Sequence, residues 1–296
     1  MANLRDVRLR MRAINQTLQV TKAMNLISTS KLRRGRRVLE DTEPYFTRIQ
    51  KSMFDLLSCA GNVQSEFFRK SETAKAAQSA VVVITSDKGL AGGYNANVIR
   101  KASELCEGLH NPALILVGAI GNRHFSHTSH VILENFTYHS QLPTLQNARE
   151  ISDFIISQFL WGAFSEVHVV YTHMYSTIRL QPAVRQVLPL KAEKIQEELS
   201  VTGNMKRVVL RFEFFPSEEA VFDALVPLYI KGIIYGCMVE SYASEQSARM
   251  AAMDEASKSA EDMLAGLQIS YNRVRQAGIT QEVSEIVGGS AALTDK

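Results

Sequence analysis

Cysteine is scarce in this 296-residue chain: Cys59, Cys106 and Cys237 are the only three. They are odd in number and far apart, which excludes a disulfide framework and zinc-finger spacing and suits a reducing compartment. Proline is sparse too, seven in total, with none before Pro44 and none after Pro227. Both ends of the chain are therefore free to be helical over long distances. No uninterrupted run approaches the roughly 18 apolar residues of a bilayer span. Charges among the first twelve residues stand where a secretory signal would need its apolar core, so export is not expected. An Arg-rich start can also belong to a transit peptide, but the helical pattern runs on without a processing-like break. The expected location is cytosolic. Internal repeats and low-complexity tracts are absent.

What the chain does have is an uneven charge. Residues 1–37 hold ten Lys or Arg against one acid, Asp6, a net +9; with a total of +3, the other 259 residues carry −6. A basic arm on a mildly acidic body points to a partner touched by that arm, the bland alternative being a solvated helix face.

The arm has helical periodicity. Leu4, Val7, Met11, Ile14 and Leu18 recur at alternating steps of three and four, after which the seam is expected to shift to Val20, Met24 and Ile27. Gly35 costs a helix only about 1 kcal/mol, so the helix runs some forty residues, roughly 60 Å, and resumes after Pro44 through Phe46, Ile49, Met53, Phe54 and Leu57. At the other end, Met250, Met253, Ser257, Ala260, Leu264, Leu267, Tyr271 and Val274 repeat the pattern. A helix from about Leu228 to Val287 would approach 90 Å and needs a partner along its length. The N-terminal helix is that partner, in an antiparallel coiled coil.

Between the helices, strands alternate with helices. Strand-like runs lie at 81–85, 113–117, 167–172, 185–190 and 208–215, helical stretches near 96–109 and 145–161, and polar connectors at 61–80 and 191–205. That order predicts a parallel or mixed sheet with helices on its faces. The fold class is α/β: a long antiparallel coiled coil of the N- and C-terminal helices plus a central Rossmann-like α/β domain. The expected regions are the first helix at 1–60, the α/β domain at 75–200, and a last strand region with the long helix at 206–296.

Recognisable chemistry is missing. The loop Gly89-Leu90-Ala91-Gly92-Gly93-Tyr94-Asn95 follows a strand, yet it has neither the Gly-Lys-Ser/Thr of a Walker loop nor G-x-G-x-x-G. Its glycines are read as permitting a tight turn with positive φ. His124, His127 and His130 would share a helix face and could hold zinc, but Ser and Thr dominate the stretch and no acid lies among them. It reads as a polar surface segment. No G-x-S-x-G elbow, catalytic Cys/His spacing or acidic metal cluster stands out. Two rival functions remain on the residues alone. One is a basic coiled-coil protein that binds nucleic acid, although aromatic interleaving is lacking. The other is a nucleotide-dependent enzyme on the α/β body.

Four blocks are more specific. They are Asn3 to Arg10 with Gln19 to Met24 and Ser28 to Leu32; Thr85 to Asn95; Ala243 to Met253; and Asn272 to Gly289. In this order they resemble the signatures of F-type ATP synthase gamma subunits, the central rotor shaft. The resemblance implies a non-catalytic subunit without cofactor or metal, whose terminal helices stand inside a ring of alpha and beta subunits. Its body would meet the epsilon subunit and the membrane-embedded c-ring. Rotation driven by ions through the c-ring would press each beta subunit in turn through different nucleotide affinities. Membrane association would be through the complex only, at the cytoplasmic face of a bacterial inner membrane, with no nucleic-acid partner. Carried over by motif, Met24, Arg249, Gln276, Thr280 and Glu282 are the expected ring contacts, with coiled-coil core the competing role for Met24. Phe212, Phe214 and Phe215 are the expected foot near the c-ring. Lys88 and Ala91 replace the family's more usual Arg and Cys, and Gly278 replaces a small helix former. The inserted cysteine pair of the chloroplast type is absent, which favours a bacterial protein.

Overall fold

The computed structural model describes residues 4–59, 65–68, 78–138, 142–191, 215 and 217–294. Helix α1 spans Leu4–Cys59. The sequence suggested an interruption at Pro44, but the helix passes through it. Proline removes the donor that would reach the Glu40 carbonyl. Pro44 and Glu40 both lie on the exposed face, where water can take that carbonyl. The Thr42 hydroxyl meanwhile donates to the Val38 carbonyl at 2.6 Å.

The last helix, α5, spans Glu218–Thr294, 77 residues, or about 115 Å at 1.5 Å per residue. It begins ten residues before the expected Leu228 and runs through Pro227, whose missing donor would have served the exposed Asp223. Its first turn is set by the Ala220 N–H, which donates to Ser217 Oγ at 3.2 Å, and by Glu218 and Glu219, which complement the helix dipole.

The chain divides into two compact units, Thr29–Ala248 and a second made of the first 28 residues with Arg249–Lys296. The first is the α/β body. Its strands are β1 (Gln78–Ile84), β2 (Pro112–Val117), β3 (Val131–Phe136), β4 (Phe164–Met174) and β5 (Leu180–Leu188). They form one sheet of order β3-β2-β1-β4-β5, parallel except for β5, which pairs antiparallel with β4. Strand β3 was not anticipated: it is an edge strand, and Glu134 and Asn135 break its apolar run. Pro182 lies within β5, which is tolerable because β5 is the opposite edge. The expected strand at 208–215 lies outside the described residues except Phe215, which sits in a bend.

Parallel strands covered on both faces read as near-continuous apolar runs, and alternate residues of β1 sort to two cores. Val81 and Val83 pack with Val98, Ala102 and Cys106 of α2 (Tyr94–Gly108) and with Phe125 of α3 (Ala119–Phe125). Val82 and Ile84 face Ile151 and Ile155 of α4 (Leu145–Leu160), Met53 of α1, and Ile230 and Ile234 of α5. A capping box starts α4: Asn147 N–H donates to Thr144 Oγ1 at 3.2 Å and Thr144 N–H to Asn147 Oδ1 at 2.9 Å. Within the body α1 and α5 run antiparallel and closely packed. A Cβ on Gly232 would lie 2.5 Å from the Phe46 ring, so any larger residue would force that ring to shift. One stretch of α5, mean hydropathy 1.5, is apolar enough by length and composition to span a bilayer. More than half of it is buried in the body, as expected of a core helix that is hydrophobic all round.

Candidate partner interface

The second unit is a pair of helices. Arg8 Nη2 donates to the Tyr271 hydroxyl at 2.9 Å, Thr21 Oγ1 and Ser257 Oγ lie 2.8 Å apart, and Asn25 Nδ2 donates to the Met250 carbonyl at 3.0 Å. As the α1 number rises the α5 number falls, so the pairing is antiparallel. On α5 the expected positions Met250 through Val274 all face the seam. On α1 the seam does not shift. Val7, Leu18, Thr21 and Ser28 are buried, with Met11 and Ile14 half-buried between them. Val20 and Ile27 are 57% and 56% exposed. The heptad continues through small polar residues, because Thr21 and Ser257 satisfy each other and let the backbones approach. Following hydrophobicity alone misses that.

What the seam leaves out marks the candidate interface. Leu9, Val20, Leu26 and Ile27 of α1 are exposed, among exposed Arg5, Arg8, Arg10, Arg12 and Lys22. Arg8 and Arg12 border an open groove of about 500 Å³, lined also by Met11, Asn15, Leu264, Gln268 and Tyr271. The hydrogen bond from Arg8 draws the Tyr271 phenol below its ordinary pKa. From Arg275 to Val287 every residue of α5 is exposed. That stretch includes Ile279, Val283 and Ile286, spaced to share one face. An isolated helix with an apolar face is marginal in water, so this end is built to be covered.

The residues proposed by motif fall in different settings. Gln276, Thr280 and Glu282 lie in the uncovered end, Thr280 Oγ1 donating to the Gln276 carbonyl at 2.9 Å. Met24 is half-buried beside the seam. Arg249 is buried, 8% exposed. Phe215 is 93% exposed, while Phe212 and Phe214 lie outside the described residues. The exposed apolar residues of α1 and α5 were missed, although subtracting the true seam from the apolar pattern would have found them.

The body has the layout in which α/β sheets hold ligands, a crevice at the carboxyl ends of the strands where strand order reverses. Here Met238, Ser241, Tyr242 and Glu245 of α5 occupy it, beside Thr85, Ser86, Tyr94 and Tyr138. The cavity left is about 50 Å³, enough for a few waters and too small for a nucleotide. The glycine loop closes on itself: Ser86 N–H donates to Asn95 Oδ1 at 3.0 Å and Ser86 Oγ to the Lys88 carbonyl at 2.8 Å. Leu90 and Gly92 take positive φ, 63° and 53°. Gly118 has φ 97°, and a Cβ there would stand 2.3 Å from the Thr85 carbonyl oxygen. The three histidines belong to different elements. His124 lies in the last turn of α3, His127 in the turn that follows, and His130 precedes β3. The rings of His124 and His130 set their edges against Phe125. Among the described residues no three metal-ligating side chains cluster.

An antiparallel helical pair with an uncovered end, and a body whose ligand crevice is filled by its own helix, define a protein made to be gripped by partners. A family model described as ATP synthase matches residues 3–293. The ATP synthase gamma chain of Acetivibrio thermocellus is 40% identical over 294 residues, 99% of this chain and all of the relative. That of Ruminiclostridium cellulolyticum is 42% identical over 292 residues, 98% and 99% of the two chains. A chain of the central stalk and c-ring of the Tetrahymena thermophila mitochondrial ATP synthase superposes with TM-score 0.59 at 25% identity, covering 80% of this chain and 99% of that one. The chain belongs to the ATP synthase gamma chain family: it is a subunit of the rotary ATP synthase, its central stalk. The nucleic-acid reading has no support in these likenesses.

Proposed function

We propose that the chain is the turning shaft of a bacterial ATP synthase, couples ion-driven rotation to the nucleotide sites of other subunits, and has no catalytic site of its own. The observation that carries this reading is the uncovered end of α5, thirteen consecutive exposed residues with an apolar face. A ring of alpha and beta subunits would cover it, with Met24, Arg249, Gln276, Thr280 and Glu282 among the contacts. The body would meet the epsilon subunit and the c-ring, with Phe212, Phe214 and Phe215 at the foot. The complex, and not this chain, would hold it at the cytoplasmic face of the membrane. A shaft that differs from side to side binds the open and closed states of its neighbours unequally. That inequality is the free energy through which rotation changes nucleotide affinity.

The test is co-expression with the cognate alpha, beta and epsilon subunits, with a bead attached to the body to follow rotation. ATP-driven, one-directional turning of the bead is expected. A ring that assembles and hydrolyses ATP at the same rate without the chain would overturn the reading.

A further inference from the structure

Strand β4 outruns its neighbour. Its pairing with β1 ends at Val83 opposite Val170, but β4 continues to Met174. Side chains of α5 take the place of the missing strand. Thr172 N–H donates to Ser241 Oγ at 3.3 Å, and Ser244 Oγ donates to the Thr172 carbonyl at 3.2 Å. Met174 N–H donates to Glu240 Oε1 at 2.9 Å, and Ser247 Oγ to the Thr177 carbonyl at 2.7 Å. Glu240 Oε1 also lies 2.6 Å from His173 Nδ1. Ser241, Ser244 and Ser247 recur at steps of three and Glu240 stands four before Ser244, which puts them on one side of the helix. The three serines are at most 1% exposed.

Three buried serines and a carboxylate on a core helix need a reason beyond packing. Apolar contact resists separation but has no direction, so packed surfaces can slide. Hydrogen bonds to the strand backbone fix both register and rotation. The bonds fall in the last two and a half turns, roughly, of the part of α5 assigned to the body, which ends at Ala248. We propose that Glu240, Ser241 and Ser244 form a torque clasp: positioning residues that lock α5 to the sheet, so that turning of the body enters the helix without slip. This rests on the shaft reading above.

The test uses the whole ATP synthase in vesicles, with hydrolysis and ATP-driven ion pumping both measured per assembled complex. Glu240→Ala is the first variant, at a half-buried helix position where alanine favours the helix. Ser241→Ala with Ser244→Ala is the second, and Glu240→Gln, which keeps the acceptor for Met174, is the control. Loss of a charge-assisted hydrogen bond is expected to speed amide exchange at Met174 by about tenfold or more. Ions pumped per ATP should fall by about threefold or more in the first two variants, with hydrolysis within about twofold of the parent. Glu240→Gln should stay close to the parent. Unchanged pumping per ATP in both clasp variants overturns the clasp and leaves the shaft reading intact. Losses seen only as less assembled complex, or equal losses in Glu240→Gln and Glu240→Ala, overturn it as well. A parent enzyme that pumps without this chain sinks the shaft reading itself.

Discussion

Replacing Ile279, Val283 and Ile286 together by glutamine tests the uncovered end of α5 directly. These side chains are 52%, 53% and 71% exposed, and glutamine is at least as good a helix former as isoleucine or valine. The free chain therefore loses little, and its melting temperature should move by less than about 2 °C. In the complex each side chain has half or more of its area still to bury. That is worth about 1 kcal/mol apiece, or about 3 kcal/mol for the three. Affinity for a cognate alpha–beta ring should then drop by roughly a hundredfold, read by titrating labelled chain onto the ring. A fall of more than about 5 °C in the free chain would mean that the face is already covered within the chain. Unaltered affinity would mean that the ring does not use it. Either result refutes the reasoning.

Four further outcomes are expected. Gly118→Ala combines a positive φ of 97° with a Cβ 2.3 Å from the Thr85 carbonyl and should destabilise the chain by about 3 kcal/mol or more in urea unfolding. Ser257→Ala should cost about 1 kcal/mol, since the Thr21 hydroxyl keeps the Leu18 carbonyl at 3.0 Å. Adding Thr21→Val should cost less than the sum of the single changes, and strict additivity would refute the pairing. Burial pushes the Cys106 thiol from 9.0 up to about 11. The unfolded chain ionises first, so this contribution to stability is present below pH 9 and is lost as pH rises toward 11. Unfolding midpoints measured between pH 8 and 11 should fall, and iodoacetamide should label Cys106 only slowly at pH 8. Glu261→Gln breaks an ion pair to Lys22 whose partners are both more than half exposed and should change stability by less than about 1 kcal/mol.

Much of the fold was legible because the long helices announce themselves. The α5 seam from Met250 to Val274 follows from spacing alone, and an uncommonly long helix demands a partner. The α1 seam was half legible, because Thr21 and Ser28 carry no hydrophobic signal. The burial of Thr21 is matched by the hydroxyl of Ser257, 236 residues away in sequence. Pro44 and Pro227 looked like boundaries. Whether a proline stops a helix depends on where the freed carbonyl points, and sequence does not tell that. β3 was hidden by its edge position. Among the site residues, motif alone could not separate buried Arg249 from exposed Gln276, Thr280 and Glu282, because one helix carries them all. Nor could it reveal that α5 fills the crevice, a contact between segments some 150 residues apart.

That filled crevice has a dynamic consequence. A diffusible ligand comes and goes, so a protein that holds one alternates between loaded and empty forms and can be switched by concentration. Met238 and Tyr242 are tethered to the sheet they occupy. Their effective concentration is fixed by the chain and answers to no metabolite. The crevice of the body thus has a permanent occupant, and a part that must pass on motion faithfully gains from a crevice that no ligand concentration can load or empty.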